Sequence, residues 1–443
     1  MSSLNQLKPL SYSTNKDGEI LLADIKIKDL VKKYGSPLYL MCEKTIRARI
    51  GAYRDSLKNN YPESLVLYAS KALNCQAICA LVKQEKIGLD VVSLGELYTA
   101  LSVGFPIENL YFHGNNKSHE ELKLCVDKGV NIVVDNFHDI NLLSKICNEQ
   151  KASVLLRVTP GIECHTHEYI KTGKQDSKFG FNLDELFTAI EELQKINVNI
   201  KGLHGHIGSQ IFETLPHQDT CRVFMDLYKK IKDKFSLEFP DLNLGGGLGI
   251  KYMESDDPPE IETWIKILTD SVKALAKEFD LKLPRILVEP GRSIVGPAGI
   301  TVYEVGNIKN IEGIRKYVCV DGGMADNPRH IMYQAQYQAE IDGKVNLQDR
   351  ETVTIAGKYC ESGDILIRDI NLAKTSPGDL LVVFSTGAYN YSMSSNYNRS
   401  AKPALVLVAD GQDYLAIKRE SLEDLLRNDL LPEHLNRGVL SKT

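Results

Sequence analysis

The chain has 443 residues, of which 43% are hydrophobic, and its formal net charge is −5. This slightly acidic balance argues against a nucleic-acid groove, and no apolar run approaches the roughly 20 residues that a membrane helix needs. The length predicts two or three domains and leaves ample material for a large core.

The first ten residues and the cysteines predict where the protein resides. Residues 1–10 are polar and show no signal peptide. The nine cysteines are odd in number and include no C-x-x-C pair. Reduced thiols in the cytoplasm are therefore expected, rather than disulfides or a zinc site.

The N-terminal part of the chain predicts a short β excursion followed by a helix. Residues 11–41 contain β-rich stretches around a turn at 15–18, and a short helix at 29–34 precedes another short strand. Residues 43–60 have the period of an amphipathic helix.

From residue 65 onward, β-like and helical runs alternate. The β-like runs are 65–69, 89–93, 110–114, 131–135, 153–158, 202–208, 241–246 and 285–289. The helical runs between them are 72–86, 94–103, 118–128, 137–150, 183–196, 217–235 and 261–279. Eight apolar strands alternating with helices predict a TIM-like (β/α)8 barrel. A doubly wound open sheet is the alternative on this pattern.

Beyond residue 295 the helical period ends. Short β-branched runs separated by Gly, Pro, Asn or Asp predict an antiparallel β-sandwich or β-barrel domain, which the N-terminal segment is expected to join. We predict a barrel domain over 36–288 and a β domain made of 1–35 and 289–443.

Polar or glycine-rich residues follow seven of the eight predicted strands. In a (β/α)8 barrel, functional residues lie at the C-terminal ends of the strands. The residues at these points are Lys71, Asp90, His113 with Asn115, Arg157, His206 with Ser209, Gly245 to Gly247, and Glu289 with Arg292. Core packing does not explain so many, and an active site is predicted at this end.

Lys71 follows a predicted buried strand, where lysine is unusual. It is either a charge that reaches solvent or a desolvated amine available for Schiff-base chemistry. The other strand-end residues favour the amine.

Two further strand ends suggest anion and cofactor binding. The turn from Gly245 to Gly249 is either a tight turn or a nest of backbone N–H groups for phosphate. Glu289 beside Arg292 forms an ion pair or holds a proton on the nitrogen of a pyridoxal ring.

Two H-x-H pairs leave a metal reading open. His204 with His206, and His165 with His167, resemble the pairs of metal-dependent hydrolases on the same fold. The sequence shows no aspartate after the eighth strand and no bridging lysine after the fourth, so we predict no metal. We expect His206 to lie flat on an aromatic cofactor ring.

The second domain holds two candidate segments. Cys360 is either a small core residue or, between acidic neighbours, a proton donor. The stretch 387–398 contains three tyrosines and is either a solvated turn or a site lining.

Taken together, these motifs resemble those of a known family. It is similar, almost end to end, to the diaminopimelate decarboxylases, pyridoxal-phosphate enzymes of the alanine-racemase-like barrel class. The resembling motifs are YASKA at 68–72, FHGNNKS at 112–118, RVTPGIECHTHEYIKTG at 157–173, SKFGF at 177–181, HIGSQ at 206–210, GGGLG at 245–249, EPGRSIV at 289–295, CESGD at 360–364 and GAYNYSMSSNYN at 387–398. One departure is the segment Arg329-His-Ile-Met-Tyr333, where the family usually reads R-P-A-L-Y; the spacing from arginine to tyrosine is kept.

The resemblance implies roles for individual residues. Lys71 would link covalently to pyridoxal 5'-phosphate, His206 would stack on its ring, and Glu289 would contact the pyridine nitrogen. The other implied cofactor contacts are Ser209, Gly246, Gly247, Pro290, Gly291, Arg292 and Tyr389. The implied substrate contacts are Arg292, Arg329, Tyr333, Glu361 and Tyr389, with Cys360 as proton donor.

The resemblance also implies the reaction and the assembly. The expected activity converts meso-2,6-diaminopimelate to L-lysine and CO2, the last step of lysine biosynthesis. A homodimer with shared active sites is expected, in which Cys360 and Glu361 of one chain face Lys71 of the other.

The same residues bear on four alternative functions. In a racemase on this barrel the ring-nitrogen partner is typically a cation, which Glu289 is not. An ornithine- or arginine-type decarboxylase would have no use for the Arg329–Tyr333 segment. A metal-dependent hydrolase would rely on His204 and His206, and a non-catalytic cofactor carrier would not need Cys360 with Glu361.

Overall fold

The computed structural model describes residues 4–61, 63–148, 150–162 and 177–435. Within these residues no helix is both long enough and apolar enough to cross a membrane. Two bodies of secondary structure account for most of the chain, a closed parallel barrel and a larger mixed sheet.

Eight parallel strands close the barrel. They are β5 (Ser64–Ala69), β6 (Gly88–Val91), β7 (Leu110–Phe112), β8 (Asn131–Val134), β9 (Ala152–Arg157), β10 (Val198–His204), β11 (Asp241–Asn243) and β12 (Arg285–Val288). Each strand pairs with the next in sequence, and β12 pairs with β5 to complete the ring. The predicted barrel is confirmed, and the open-sheet alternative is wrong.

Helices alternate with these strands as the apolar period predicts. They are α2 (Glu43–Asn60), α3 (Gln76–Gln84), α4 (Leu94–Ser102), α5 (His119–Lys128), α6 (Phe137–Ile146), α7 (Leu186–Gln194), α8 (Leu215–Phe235) and α9 (Ile261–Glu278). In α9 the buried residues Trp264, Leu268, Val272 and Leu275 recur every three or four positions, which places one apolar stripe against the barrel.

The predicted helix over 72–86 begins later than expected. A short 3-10 turn covers Ser70–Ala72, and α3 begins only at Gln76. Between them Leu73 and Cys75 have extended backbone, with φ near −160°. Lys71 therefore lies on a tight turn at the strand end rather than on a helix.

The barrel interior is apolar below the functional end. In β5, Leu67 points into the barrel and joins Tyr111, Val133, Leu155 and Leu287 in one buried cluster. Its neighbours Val66 and Tyr68 belong instead to the large core formed with the surrounding helices. This alternation fills the barrel with side chains, so a ligand can enter only at its mouth.

The second body is a nine-stranded sheet. Its strands are β4 (Leu38–Cys42), β13 (Gly299–Ile311), β14 (Arg315–Val320), β15 (Ala339–Ile341), β16 (Arg350–Ala356), β17 (Ile365–Ala373), β18 (Leu380–Val383), β19 (Ala404–Ala409) and β20 (Gln412–Ile417). Most neighbours are antiparallel, as predicted, but β14 with β16 and β4 with β19 are parallel. The sheet is therefore mixed.

The N-terminal segment joins this second body, as predicted. Strands β1 (Tyr12–Thr14), β2 (Ile20–Leu22) and β3 (Ile25–Lys26) form a small sheet, followed by α1 (Ile27–Tyr34). Strand β4 then pairs with β13 and β19. The boundary at residue 36 remains a prediction, although β4 lies in the mixed sheet.

Apolar residues cover both faces of the mixed sheet. Ile300 and Val302 of β13 pack in a core with the N-terminal segment. Tyr303 and Val305, which point the other way, pack in a separate core. Burial on both faces explains why β13 lacks a clear apolar–polar alternation over its first half.

Short helical turns complete the described structure: α10 (Arg292–Val295), α11 (Arg329–Tyr333), α12 (Leu422–Leu426), and 3-10 turns at Ile107–Asn109, Gly296–Ala298, Tyr391–Met393, Tyr397–Arg399 and Glu433–Leu435. The loop after β18 docks on the barrel through Ala72. The carbonyl of Ala72 accepts hydrogen bonds from the Tyr389 N–H at 2.8 Å and the Ser392 hydroxyl at 3.0 Å. A loop of the mixed sheet thus places Tyr389 close to the turn that carries Lys71.

Candidate active site

A pocket of about 540 Å³ opens at the C-terminal ends of the barrel strands. Most of the predicted site residues line it. They are Lys71, His206, Ser209, Gly247, Glu289, Gly291, Arg292, Arg329, Tyr333 and Tyr389. Four of the predicted site residues do not line this pocket: Gly246, Pro290, Cys360 and Glu361.

Glu289 forms the centre of the pocket floor and is almost completely buried. Its Oε2 lies 3.0 Å from His204 Nε2, and its Oε1 lies 3.1 Å from His113 Nε2. The Asn243 side-chain amide donates a hydrogen bond of 2.6 Å to Oε1. The ends of three barrel strands, β7, β10 and β11, therefore hold one carboxylate in place.

These contacts set the charges at the floor. Burial alone would raise the pKa of Glu289, but His204 and His113 outweigh burial and hold that pKa well below its usual value. Burial lowers the pKa of His204 to about 4, so this ring is neutral at neutral pH and acts on Glu289 as a hydrogen-bond partner. Burial also opposes charge on His113, yet the Asp90 and Glu289 carboxylates raise its pKa. Glu289 is consequently ionised, and its charge in turn favours the protonated form of His113.

Asp90 adds a second carboxylate beside His113. Its Oδ1 lies 3.8 Å from His113 Nε2 and has no hydrogen-bond partner in the described chain. Burial raises the pKa of Asp90 to about 6, against the attraction of His113. The floor therefore contains two carboxylates with different pKa values around one imidazole.

Lys71 reaches the pocket from the turn after β5. The turn is held by Glu96, whose carboxylate accepts hydrogen bonds from the Ser70 hydroxyl at 2.9 Å and the Val92 N–H at 2.8 Å. Lys71 itself is exposed, so the expectation of a desolvated amine is wrong for this structure. Its amine is instead accessible to whatever enters the pocket.

The glycine turn after β11 has no room for side chains. A Cβ atom at Gly246 would lie 2.2 Å from the carbonyl oxygen of Glu289, and one at Gly247 would lie 2.8 Å from that of Gly208. Gly245 and Gly247 also have φ of +65° and +114°, which favour glycine. The glycines therefore keep the backbone close to its neighbours and free of side chains at the pocket wall.

His206 takes part in this wall. Its Nδ1 accepts a hydrogen bond of 3.3 Å from the Gly246 N–H, and burial lowers the pKa of the ring well below its usual value. A neutral imidazole borders the pocket there.

Two buried arginines line the pocket wall. Arg292 donates to the Ser209 hydroxyl at 3.0 Å and to the Tyr252 hydroxyl at 2.5 Å, and its guanidinium lies 4.8 Å from the centre of the Tyr389 ring. Arg329, on α11, donates to the Tyr337 hydroxyl at 2.7 Å and lies 4.6 Å from the centre of the Tyr252 ring.

No carboxylate among the described residues forms an ion pair with either arginine. In addition, Arg329 Nε is buried without a hydrogen-bond partner in that part of the chain. The wall near Tyr333 therefore keeps uncompensated positive charge, which suits an anionic group.

Cys360 and Glu361 are exposed on the mixed sheet. The Cys360 N–H donates to the Asn398 side-chain oxygen at 2.9 Å, and the Tyr397 hydroxyl donates to the Cys360 carbonyl at 3.4 Å. The adjacent Tyr359 hydroxyl donates to the buried Asp326 at 3.3 Å. Hydrogen bonds to Asp326, Tyr397 and Asn398 thus hold this loop, while Cys360 and Glu361 remain exposed.

The H-x-H interpretation does not match the geometry. The group of potential metal ligands found in the described chain consists of His113, His204 and Glu289, whose ligand atoms lie within 4.8 Å of one another. His204 is directed to Glu289, whereas His206 contacts the glycine turn. The second pair, His165 and His167, lies outside the described residues.

Three residues that shape the site are not among those predicted from the sequence. Asn243 ends β11, and the rule that identified the other strand-end residues could have identified it. Tyr252 and Tyr337 orient the arginines from loops, and no sequence spacing indicates them. Their positions depend on how the mixed sheet packs on the barrel.

The residues present fit a phosphorylated pyridine aldehyde. Lys71 offers a primary amine, the glycine turn offers backbone where any Cβ would collide, and Glu289 offers a buried ionised carboxylate. This combination of amine, anion cradle and acidic partner matches the chemical groups of pyridoxal phosphate.

Comparison with known proteins defines the class. Residues 44–296 match the pyridoxal binding domain of the pyridoxal-dependent decarboxylases. A diaminopimelate decarboxylase of Synechocystis sp. is 48% identical over 443 residues, with 97% of this chain and 94% of that protein covered. For the enzyme of that name from Bacillus subtilis, the identity is 46% and the coverages are 94% and 96%.

A crystal structure of diaminopimelate decarboxylase from M. jannaschii in co-complex with L-lysine matches with a TM-score of 0.89. Its sequence is 34% identical, and the match covers 96% of this chain and 99% of that one. The chain belongs to the diaminopimelate decarboxylase family, as the sequence motifs predict.

Proposed function

We propose that this protein uses pyridoxal 5'-phosphate to convert meso-2,6-diaminopimelate to L-lysine and CO2, the last step of lysine biosynthesis. The observation that carries this proposal is the pair formed by Lys71 and the ionised Glu289 in one pocket. An amine that can form a Schiff base and a carboxylate that can hold a ring nitrogen protonated are the two groups that this chemistry requires.

The chain offers a partner for each part of the cofactor. Lys71 would hold its aldehyde carbon covalently, and His206 would lie against its ring. Ser209 and the backbone at Gly246 and Gly247 would bind its phosphate, and Pro290, Gly291, Arg292 and Tyr389 would complete the site. When bound, pyridoxal phosphate accepts the electron pair that remains when the bond to the departing carboxylate breaks.

Glu289 controls the strength of this electron acceptance. Because His113 and His204 keep its pKa low, Glu289 remains a carboxylate when a protonated nitrogen faces it. A carboxylate stabilises that proton, whereas a neutral partner would not. This is the residue that separates a decarboxylase from the racemase alternative.

Arg329 supports diaminopimelate as the substrate. The end of this molecule that does not react retains a carboxylate and an amine. Arg329 and Arg292 have no carboxylate partner in the described chain and can bind that carboxylate. Tyr333 and Tyr389 border the same space, and Glu361 would bind the amine.

Cys360 is our candidate for the proton donor. A protonated thiol can donate a proton to the reacting carbon. Cys360 and Glu361 are exposed and do not line the pocket of their own chain, so a second copy would have to bring them to it. We therefore infer a homodimer with shared sites as the minimal active unit.

We also propose that the protein works in the cytoplasm. The eight cysteines that the structure describes are unpaired, and Cys360 is exposed. Exposed thiols persist in a reducing compartment.

Lys71→Ala tests the cofactor link. We expect it to abolish L-lysine formation and to remove the label that borohydride introduces at residue 71 of the wild-type protein loaded with pyridoxal phosphate. Product is measured by chromatography, the label by mass spectrometry and the fold by circular dichroism. Lys178→Ala, at another lysine lining the pocket, is the control and should keep the label. Normal turnover by Lys71→Ala would exclude the mechanism.

Arg329→Met tests the recognition of the distal carboxylate. L-Lysine retains this carboxylate and cadaverine lacks it, so both are compared as inhibitors. We expect the inhibition constant of L-lysine to rise roughly 10- to 100-fold, as for the loss of a charge-assisted hydrogen bond, with little change for cadaverine. Arg329→Lys should restore part of the difference. Equal losses for both inhibitors would mean that Arg329 has only a structural role.

Mixing two inactive variants tests the shared site. Lys71→Ala and Cys360→Ala are dissociated together and reassembled, so that each hybrid dimer contains one site with both residues intact. Random pairing should restore roughly a quarter of the wild-type activity.

Subunit exchange is verified by tagging the two variants differently and isolating the doubly tagged dimer. Each variant reassembled alone is the control and should stay inactive. If verified hybrids are also inactive, both residues belong to the same chain's site and the shared-site proposal is wrong.

A further inference from the structure

Arg157 is a buried cation that lines the pocket, and its contacts with Phe179 and Asp135 hold its side chain in place. It ends β9 and is 9% exposed, and its guanidinium lies 4.2 Å from the centre of the Phe179 ring. It donates no side-chain hydrogen bond within the described chain. Its anionic neighbour is Asp135, with 3.8 Å between Arg157 Nε and Asp135 Oδ1. This attraction leaves the hydrogen-bond donors of Arg157 available to a ligand.

Asp135 is itself fixed by two hydrogen bonds. Its Oδ2 accepts from the Gly180 N–H at 3.0 Å, and its own backbone N–H donates to Asp139 Oδ2 at 2.9 Å. Its Oδ1, which faces Arg157, has no other partner in the described residues. The position of the Arg157 counter-charge therefore depends on Asp139.

Asp139 belongs to a fully buried ion pair with Lys117. The two side chains are 2.6 Å apart, and the residues are 0% and 3% exposed. The Lys117 amine also donates to the Gly114 carbonyl at 2.6 Å. Since Gly114 lines the pocket, the pair connects two neighbouring strand ends at the mouth of the barrel.

A buried ion pair is a poor source of stability, because removing two charges from water offsets most of their attraction. Lys117 lies in the segment 112–118, one of the motifs that resemble the diaminopimelate decarboxylases. It does not line the pocket. Neither ligand contact nor stability therefore explains why a charged lysine is buried at this position.

We propose that Lys117 and Asp139 are positioning residues, which fix Asp135 and through it orient Arg157 toward the bound cofactor. This inference rests on the proposed use of pyridoxal phosphate. If the inference is correct, replacing Lys117 and Asp139 weakens cofactor binding only when Arg157 is present.

The test replaces the pair by apolar residues in two backgrounds. Lys117→Met with Asp139→Leu is made in the wild-type chain and in Arg157→Met. Binding of pyridoxal phosphate to the cofactor-free protein is measured by absorbance and fluorescence titration, independently of activity. We expect the dissociation constant to rise roughly 10- to 100-fold in the wild-type background and less than about twofold in Arg157→Met.

A second ion pair at the opposite end of the barrel is the control. Asp241 and Arg285 begin β11 and β12, and their side chains are 2.8 Å apart. Asp241→Leu with Arg285→Met should leave the dissociation constant within about twofold in both backgrounds.

Two results would overturn the proposal. One is unchanged cofactor binding after the replacement of Lys117 and Asp139, and the other is an equal loss in both backgrounds. If the double replacement does not fold, Asp135→Asn takes its place, and an effect that persists without Arg157 overturns the proposal as well. Failure of the wild-type protein to bind pyridoxal phosphate would instead contradict the proposed function.

Discussion

The buried Glu289 carboxylate is the interaction on which the rest of the site depends. An isolated carboxylate at this depth would take up a proton, because burial raises its pKa. Two imidazoles and the Asn243 amide prevent this by direct contact. These three partners come from the ends of β7, β10 and β11, so the parallel barrel brings together groups that are distant in sequence.

The barrel and the mixed sheet contribute different residues to the site. The barrel supplies the amine, the glycine turn and the charged floor, all at strand ends. The mixed sheet supplies Arg329 and Tyr389, which reach the pocket through loops docked on the barrel. The same sheet carries Cys360, which is exposed and does not line the pocket of its own chain. In the homodimer that we propose, a second chain would cover the mouth and exclude water from the reacting carbon.

Much of this architecture could be predicted from the sequence, because the barrel strands are apolar runs separated by amphipathic helices. Strand-end chemistry likewise predicted Lys71, His206 and Glu289 as pocket residues. Other features depend on long-range packing. The parallel pairing of β4 with β19 joins residues far apart in the chain, and Tyr252 is placed by its contacts with arginines rather than by any local pattern. The 3-10 turn at Ser70–Ala72, in which Lys71 is exposed, replaces the expected start of a helix.

The most direct test of this account is the protonation state of the cofactor nitrogen. Pyridoxal phosphate labelled with 15N at the ring is bound to the wild-type protein and to Glu289→Gln, and the nitrogen chemical shift is measured by NMR. The ring nitrogen should be protonated in the wild-type protein. In the variant it should be unprotonated, with the cofactor still bound and the rate of decarboxylation strongly reduced. An unprotonated nitrogen in the wild-type protein, or the same protonated signal in both proteins, would contradict the role assigned to Glu289.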